Sequence, residues 1–120
     1  MLLDSNIIIY SALPENEFLR EFIRINSPFV SDVSRIEVLG FQKLAPHALD
    51  YFGAFFSSST LIPISEEVVI NAIGLRQRRK ITLGDSLIAA TAIVYDLGLI
   101  TKNTRDFQWI DELKVIDPYK

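Results

Sequence analysis

The chain has 120 residues, 49% of them hydrophobic and 22% charged, with a formal net charge of −3. This length and composition predict one folded domain over residues 1–120 and argue against disorder. The absence of cysteine excludes disulfides, zinc–cysteine sites and thiol nucleophiles, and the single histidine, His47, excludes the usual Ser-His-Asp triad. Any metal site must therefore use oxygen ligands, which favour Mg²⁺ or Mn²⁺.

No apolar stretch is long enough to span a bilayer, and no basic leader precedes the first apolar residues. We therefore expect a cytoplasmic protein with no membrane partner. The acidic balance does not in itself indicate nucleic-acid binding, which usually accompanies a basic surplus, although a local basic patch can serve in an acidic chain.

The first predicted elements are a strand and two helices. Residues 1–3 form a short apolar run, typical of a strand buried on both faces, and Asp4 stands where that strand should end. Apolar residues at helical spacing then predict helices over 7–12 and 15–25, and an Asn-Ser-Pro sequence ends the second. Residues 29–30 are predicted as a minimal second strand.

The next stretch predicts two helices and a third strand. Helices are expected over 33–44 and 47–56, and the strand over 60–64. Pro63 places this strand at a sheet edge, because proline cannot donate to the ladder. The residues of the first of these helices that are expected to face the core are Ile36, Leu39 and Phe41.

The second half predicts two helices and two strands. A helix over 65–80 begins with acids and ends with a basic run, as the helix dipole prefers. A largely buried helix follows over 83–97, closed by Gly98. The last strands are 99–101 and 114–116, and residues 102–112 between them form a loop or short helix.

Short apolar strands separated by helices imply a parallel sheet covered on both faces. We therefore predict a three-layer α/β/α sandwich with a mostly parallel central sheet, in which residues 2–4 form a central strand. The small residues at 89–92 and the apolar helices suggest more buried surface than one such domain uses. This predicts a homodimer with two-fold symmetry.

Four acids stand at the end of a predicted strand or near the start of a predicted helix: Asp4, Glu37, Asp85 and Asp106. In a parallel sheet these places lie toward the same edge, where ligands bind in open α/β folds. Carboxylates gathered there repel one another unless a divalent cation is present. Such a cluster suits phosphoryl-transfer or nuclease chemistry, since bound Mg²⁺ can supply the nucleophilic water.

Each of these acids also has a purely structural interpretation. Asp4 or Asn6 can cap the following helix, and the segments 34–37 (Ser-Arg-Ile-Glu) and 82–85 (Thr-Leu-Gly-Asp) match the capping box. The joint placement of four acids favours the functional interpretation. So do the apolar neighbours of Glu37 and Asp85, because an unpaired carboxylate among apolar residues is costly.

Four segments form a pattern that extends over nearly the whole chain: 2–10 (Leu-Leu-Asp-Ser-Asn-Ile-Ile-Ile-Tyr), 34–40 (Ser-Arg-Ile-Glu-Val-Leu-Gly), 85–92 (Asp-Ser-Leu-Ile-Ala-Ala-Thr-Ala) and 99–107 (Leu-Ile-Thr-Lys-Asn-Thr-Arg-Asp-Phe). Together they resemble the PIN domain, and more narrowly the VapC-type toxins of VapBC toxin–antitoxin pairs. Any one segment alone is a weak signal. The resemblance implies a Mg²⁺- or Mn²⁺-dependent endoribonuclease that hydrolyses RNA, forms a homodimer and is inhibited by a small antitoxin protein.

The resemblance also implies a catalytic cluster of Asp4, Glu37 and Asp85, with a fourth member after the strand at 99–101. Family members place an acid near position 103 or 106, and here position 103 is an amide. We assign the acid to Asp106, so that the implied metal ligands are Asp4, Asp85 and Asp106. The implied supporting residues, which brace the acids or position water or metal, are Asn6, Thr101 and Asn103.

Two further features have competing interpretations. The basic run at 76–80 is either favourable charge at a helix C-terminus or a contact for the RNA backbone. Trp109 is interpreted as core or dimer packing in preference to a surface for base stacking.

Two other functions stay open. An Asp-based phosphotransfer domain also places an acid after its first strand and a Thr-Lys pair, here 101–102, late in the chain. This chain lacks an acid at the end of the third strand, and Asn6 stands where the dehalogenase motif has its second Asp. The other alternative is a PIN-fold interaction module with weak or no catalysis that mainly binds a DNA-binding partner, which Asn103 keeps open.

Overall fold

The computed structural model describes residues 1–120 as short strands alternating with helices. The strands are β1 (Leu2–Leu3), β2 (Val30–Ser31), β3 (Leu61–Ile62), β4 (Leu99–Ile100) and β5 (Val115–Ile116). The helices are α1 (Ser5–Ser11), α2 (Glu17–Asn26), α3 (Asp32–Leu39), α4 (Pro46–Ser57), α5 (Glu66–Arg78) and α6 (Leu83–Val94), with 3₁₀ helices at Pro14–Asn16 and Thr104–Asp106. No helix has both the length and the apolar character needed to cross a bilayer.

All strand pairings are parallel. β1 pairs with β4, and β4 pairs with β5, so that Leu2, Leu99 and Val115 lie side by side. β2 pairs with β3, and a single bridge between Leu2 and Phe29 joins the two groups in the order β3-β2-β1-β4-β5. The structure confirms β1 as the central strand and β3 as an edge strand.

The two faces of the sheet carry separate hydrophobic cores. Side chains alternate along a strand, so Leu2 and Leu99 pack into one core while Leu3 and Ile100 pack into the other. The first core includes the buried faces of α5 and α6, and the second those of α1, α2 and α4. This arrangement confirms the predicted α/β/α sandwich. The carboxyl ends of β1 and β4, side by side, form the edge that carries the site.

The third helix is shorter than predicted, and two of its expected core residues face solvent. α3 ends at Leu39 instead of residue 44. Ile36 is 64% exposed and Phe41 is 56% exposed, so their prediction as core residues is wrong, and only Leu39 packs on the core. The buried residues of this helix are Val33, Ser34 and Val38. At 3.6 residues per turn, Ile36 lies about 200° around the helix from Ser34.

The long helix α6 also ends earlier than predicted, at Val94 instead of about residue 97. The left-handed backbone conformation beyond it belongs to Asp96, with φ of 54°, and not to Gly98. Aspartate is one of the few residues that adopt this conformation readily. A Cβ on Gly98 would lie 2.8 Å from Cδ1 of Ile116, so this glycine permits a close approach of β5.

The small residues of α6 serve packing within the domain. Residues 89–92 are all buried in the core that α6 forms with the sheet. They are therefore not available as a surface between two copies, and this part of the argument for a homodimer is wrong. The most exposed apolar side chains near α6 are instead Ile36 and Leu83.

Candidate acidic site

Asp4 follows β1 directly and is the one buried charged residue, 5% exposed. Its amide continues the ladder by donating to the carbonyl of Ile100 at 2.9 Å. Its Oδ1 accepts the amide of Ser5 at 2.8 Å, which caps α1, and its Oδ2 accepts the hydroxyl of Thr101 at 2.8 Å. The cap and the functional interpretation are thus compatible, and the two hydrogen bonds fix the orientation of the carboxylate.

The electrostatic environment of Asp4 is unfavourable for a free carboxylate. Burial raises the pKa of Asp4 from 3.8 to about 6, and the charges of Asp85 and Glu37 act in the same direction, against the hydrogen bonds from Thr101 and Ser5. None of the three ion pairs in the structure includes Asp4. A buried acid with acidic neighbours and no basic partner is typical of a functional site.

Glu37 is linked to Asp4 through a serine. The hydroxyl of Ser5 donates to Oε1 of Glu37 at 2.7 Å and lies 2.8 Å from the hydroxyl of Ser34. The predicted capping role of Ser34 and Glu37 is wrong, because α3 begins earlier and is capped by the hydroxyl of Ser31.

The second oxygen of Glu37 lies against the start of α6. A Cβ built on Gly84 would come within 2.5 Å of Oε2 of Glu37. Glycine at this position therefore leaves room for the carboxylate beside Asp85, the next residue. The segment 82–85 thus serves two purposes, since it begins a helix and also receives an acid from α3.

Asp85 stands half-buried in the first turn of α6. Its amide donates to the hydroxyl of Thr82 at 3.2 Å, so the predicted cap by Thr82 is confirmed. Burial raises the pKa of Asp85, and the charges of Asp106 and Glu37 raise it further, while a hydrogen bond between the Asp85 carboxylate and the Thr82 side chain acts against them. Asp85 therefore interacts electrostatically with Asp4 and Glu37 and also with Asp106, which follows β4.

Asp106 and Asn103 occupy the exposed side, after β4. Asp106 ends a 3₁₀ helix, is exposed, and lines the same cleft as Asp85. The amide of Asn103 donates to the hydroxyl of Thr101 at 3.0 Å, so its backbone helps to orient the hydroxyl that holds Asp4. The Asn103 side chain and Asp106 line one crevice, and the choice between them for the fourth role stays a prediction.

The predicted acids therefore share one sheet edge, but they do not form a ready-made metal cage. No group of three or more Asp, Glu or His side chains is arranged to hold an ion by itself. Asn6 is half-buried in the first turn of α1, and its predicted bracing role stays a prediction. Oriented carboxylates of this kind can still supply some ligands of an ion that keeps several waters, as Mg²⁺ does.

Sequence reasoning missed the two serines that connect the acids. Ser5 and Ser34 are both buried, and the bond between their hydroxyls joins α1 to α3. The available signal was a polar residue inside an apolar run, directly after the acid that ends β1. A buried hydroxyl needs a partner, and for Ser5 the structure supplies the carboxylate of Glu37.

Two comparisons with known sequences agree on the family of this chain. The family model described as PIN domain matches residues 1–113. A ribonuclease VapC from Rickettsia bellii (strain RML369-C) is 41% identical over 73 residues. That match spans 57% of this chain and 52% of the relative, so the chain aligns with about half of the relative's length.

Solved structures share the fold over nearly the full length. A toxin–antitoxin complex from Klebsiella pneumoniae contains a chain with a TM-score of 0.78 and 31% identity, covering 99% of this chain and 98% of that one. DNA-bound VapBC from Salmonella typhimurium gives a TM-score of 0.86 at 23% identity, covering 98% and 96%. The first similarity extends to sequence, and the second concerns the fold alone.

Proposed function

Because the chain belongs to the PIN-domain family, we propose that it is a metal-dependent endoribonuclease and the toxin of a toxin–antitoxin pair. The observation that carries the proposal is the environment of Asp4. This buried carboxylate accepts two hydrogen bonds, lies close enough to Asp85 and Glu37 for their charges to raise its pKa, and has no basic partner. The 41% identity to a ribonuclease VapC over 73 residues supports RNA as the substrate.

The donor set fits Mg²⁺ or Mn²⁺. Its members are carboxylates, the hard oxygen ligands that these ions prefer. A Mg²⁺ ion needs only one or two protein carboxylates together with waters, so the acids need not form a closed cage. We assign direct or water-mediated ligation to Asp4, Asp85 and Asp106, with Asn103 as the neighbour that positions water or metal.

In the proposed reaction a water attacks an RNA phosphodiester in line. When bound, a divalent ion would lower the pKa of the attacking water and would neutralise charge that develops on the phosphate. Thr101 and Ser5 hold the Asp4 carboxylate so that it cannot rotate away. Glu37, positioned by the Ser5 hydroxyl, either ligates the ion or orients the attacking water. The products are a 5′-phosphate and a 3′-hydroxyl.

We further propose a small antitoxin protein and a second copy of the chain as partners, and the cytoplasm as the location. The similarity to a chain in a toxin–antitoxin complex at 31% identity supports the first partner. An exposed apolar groove lined by Ile36, Ile64 and Leu83 supports a protein partner at the side of Glu37. Sedimentation at tens of micromolar, with and without a co-expressed partner, tests both assemblies.

The interaction module without catalysis is the second candidate. The amide at Asn103, where the family resemblance implies an acid, favours it. The phosphotransfer alternative finds no such support, because the ammonium group of Lys102 lies 4.9 Å from the ring centre of Tyr119 and 5.4 Å from that of Tyr10. A phosphotransfer lysine would instead face the acid at the end of β1.

A cleavage assay with purified variants tests the proposed function. Single-stranded and structured RNAs are incubated with Mg²⁺ and wild-type protein, and with Asp4→Ala, Asp85→Ala and Asp50→Asn. Asp50 is an exposed acid on α4, so its variant controls for the loss of one carboxylate. We expect cleavage by wild type and Asp50→Asn only, with all variants folded by circular dichroism. Cleavage that survives both alanine substitutions would overturn the proposal.

A further inference from the structure

Four basic side chains lie beside the acidic site without an acidic partner. They are Arg76, Arg79, Lys80 and Arg105, and none belongs to the three ion pairs of the structure. The chain has 15 acids and 12 bases, so this grouping is a local positive patch in a chain of net negative charge. Together these four side chains line one open cleft of about 630 Å³, which we call the basic cleft.

The basic cleft is continuous with the acidic site. Asp85 and Asp106 line the same cleft as the four basic side chains. Cations close to these acids can hold an anionic ligand against a site that would otherwise repel it. A polyanion that crosses the cleft would therefore be held by the basic side chains and would present a phosphate to the neighbouring acids.

The helix dipole does not account for this arrangement. It favours Arg76 and Arg78 in the last turn of α5. Lys80 lies beyond that helix, however, and Arg105 comes from the 3₁₀ helix after β4. Three separate elements thus direct positive charge into one cleft.

Trp109 joins two of these elements. Its Nε1 donates to the carbonyl of Asp106 at 3.0 Å, and the guanidinium carbons of Arg78 and Arg79 each lie 5.5 Å from the centre of its ring. Arg78 is also bound to Glu112 at 2.8 Å and does not line the cleft. Arg79 lines the cleft and has the indole ring as its only close partner. Trp109 therefore acts as a support for Arg79, tethered to the backbone of an acid of the site.

We propose that Arg79 is a phosphate-binding residue for the RNA backbone and that Trp109 is the positioning residue that acts through it, with Arg76, Lys80 and Arg105 as further backbone contacts. This inference rests on the proposed function and specifies how that site holds its substrate. Trp109 is half-buried and packs against the core beside α5 and α6, as predicted, and the proposal adds a second role to that packing, since two guanidinium groups lie against its ring. The contacts are to phosphates, so they hold RNA without reading its sequence.

The test measures binding separately from cleavage. A fluorescein-labelled 15-residue oligouridylate is titrated with full-length wild type in EDTA, over a series of salt concentrations. Variants are Arg79→Gln, Trp109→Leu, the double variant, and Arg24→Gln as a control with the same charge change on α2. Steady-state cleavage with Mg²⁺ then gives kcat and KM for each variant.

We expect four backbone contacts to give a slope of log affinity against log salt of about −3, reduced by about 0.7 in Arg79→Gln. Arg79→Gln should weaken binding roughly tenfold, as for loss of a charged hydrogen bond. It should raise KM and leave kcat unchanged. Trp109→Leu should weaken binding roughly threefold through the lost cation–π contact, and it should add nothing in the Arg79→Gln background.

The outcomes separate this inference from the proposed function. If wild type cleaves RNA while Arg79→Gln matches Arg24→Gln in slope, affinity and KM, the inference is overturned and the nuclease stands. If binding depends on Arg79 but no variant cleaves, the cleft is supported and the nuclease fails. If Trp109→Leu does not fold, Arg79→Gln alone decides the phosphate contact. Equal effects of Trp109→Leu with and without Arg79 would overturn the positioning role.

Discussion

The two sides of the acidic site are built in different ways. On the β1 side, Asp4 is buried and both carboxylate oxygens accept hydrogen bonds, from Ser5 and Thr101. On the far side, Asp106 is exposed on a short 3₁₀ helix next to the basic cleft, and no hydrogen bond orients its carboxylate. One side is thus fixed by the fold before any ligand arrives, and the other is free to adjust to a substrate.

From this difference we propose which residues carry the chemistry and which adapt the site to its substrate. A carboxylate held at two oxygens has little freedom left to lose when a ligand binds, so its contribution is preorganised. An exposed acid must be ordered at the time of binding, which reduces its net contribution. We therefore expect the effects of substitution to decrease from Asp4 toward Asp106.

The largest expected effect is on cleavage by Asp4→Asn compared with Asp106→Asn. Loss of the fixed acid should lower kcat roughly a thousandfold, the upper range for one preorganised electrostatic group. Loss of the exposed acid should cost roughly tenfold, because Asn103 lies in the same crevice. Steady-state kinetics with Mg²⁺ on one RNA measures both. Equal losses would show that burial does not distinguish the two sides.

The second prediction concerns stability and pH without added metal. Raising the pKa of Asp4 from 3.8 to about 6 means that the folded state binds a proton more tightly than the unfolded state. Stability therefore falls as pH rises from about 4 to about 6, by up to about 3 kcal/mol from this group. Asp4→Asn lacks this loss, so it should be more stable than wild type at pH 7 in EDTA.

Urea unfolding of wild type and Asp4→Asn at pH 4, 5, 6 and 7 checks this prediction. The stability difference should be small at pH 4 and should grow toward pH 7. Millimolar Mg²⁺ should then stabilise wild type, because an ion that binds only the folded state favours it, and Asp4→Asn should lose most of that response. Parallel pH curves for the two proteins would contradict the account of Asp4.

A third, smaller effect is expected from Thr101→Val, which keeps the shape of the side chain and removes the hydroxyl. The hydrogen bond from Thr101 lowers the pKa of Asp4, so its loss should raise that pKa further. Activity should fall roughly 10- to 100-fold, as for other residues that orient a metal ligand. Its pH–rate profile should shift to higher pH. Thr101→Ser retains the hydroxyl, so it should restore the activity and the pH–rate profile of wild type. Failure of this rescue would argue that Thr101 acts through packing.

The sequence indicated the rigid side of the site better than the adaptable side. Asp4 ends a run of apolar residues at the start of a predicted central strand, and parallel strand order then brings Thr101 beside it. The buried face of α3 was predicted incorrectly, since Ile36 faces solvent while Ser34 and Val38 are buried. The hydroxyl link through Ser5 depends on contacts 29 and 32 residues away, which no local pattern encodes.

The side of the site that carries Asp106 and the basic cleft was predicted incompletely, because it also depends on contacts between residues far apart in the sequence. Charge at the end of α5 has a local explanation in the helix dipole, and the sequence could not decide between that and a substrate contact. The meeting of Arg79, Trp109 and Arg105 depends on how α5 packs beside the segment after β4. Only the tertiary structure places these residues in one cleft.

The smallest predicted effect concerns Gly84→Ala. This substitution distinguishes the position of the Glu37 carboxylate from the stability of the fold. In Gly84→Ala the new Cβ would come within 2.5 Å of Oε2 of Glu37, the movable end of a side chain. Helix propensity should then leave stability unchanged or raised by up to about 1 kcal/mol, while displacement of Glu37 lowers kcat severalfold. Gly74→Ala in α5 is the matched control, because nothing lies within 4 Å of its Cβ. Equal activity of the two variants would show that the position of Glu37 is unimportant.

The most direct test of the central claim, that this acidic edge performs metal-dependent RNA hydrolysis, is the mapping of product ends. Wild-type protein is incubated with one defined RNA in Mg²⁺ and, in parallel, in EDTA, and the ends of the fragments are identified. We predict fragments with 5′-phosphate and 3′-hydroxyl ends in Mg²⁺ and no fragments in EDTA. Cleavage that persists in EDTA, or fragments that end in a 2′,3′-cyclic phosphate, would contradict the claim.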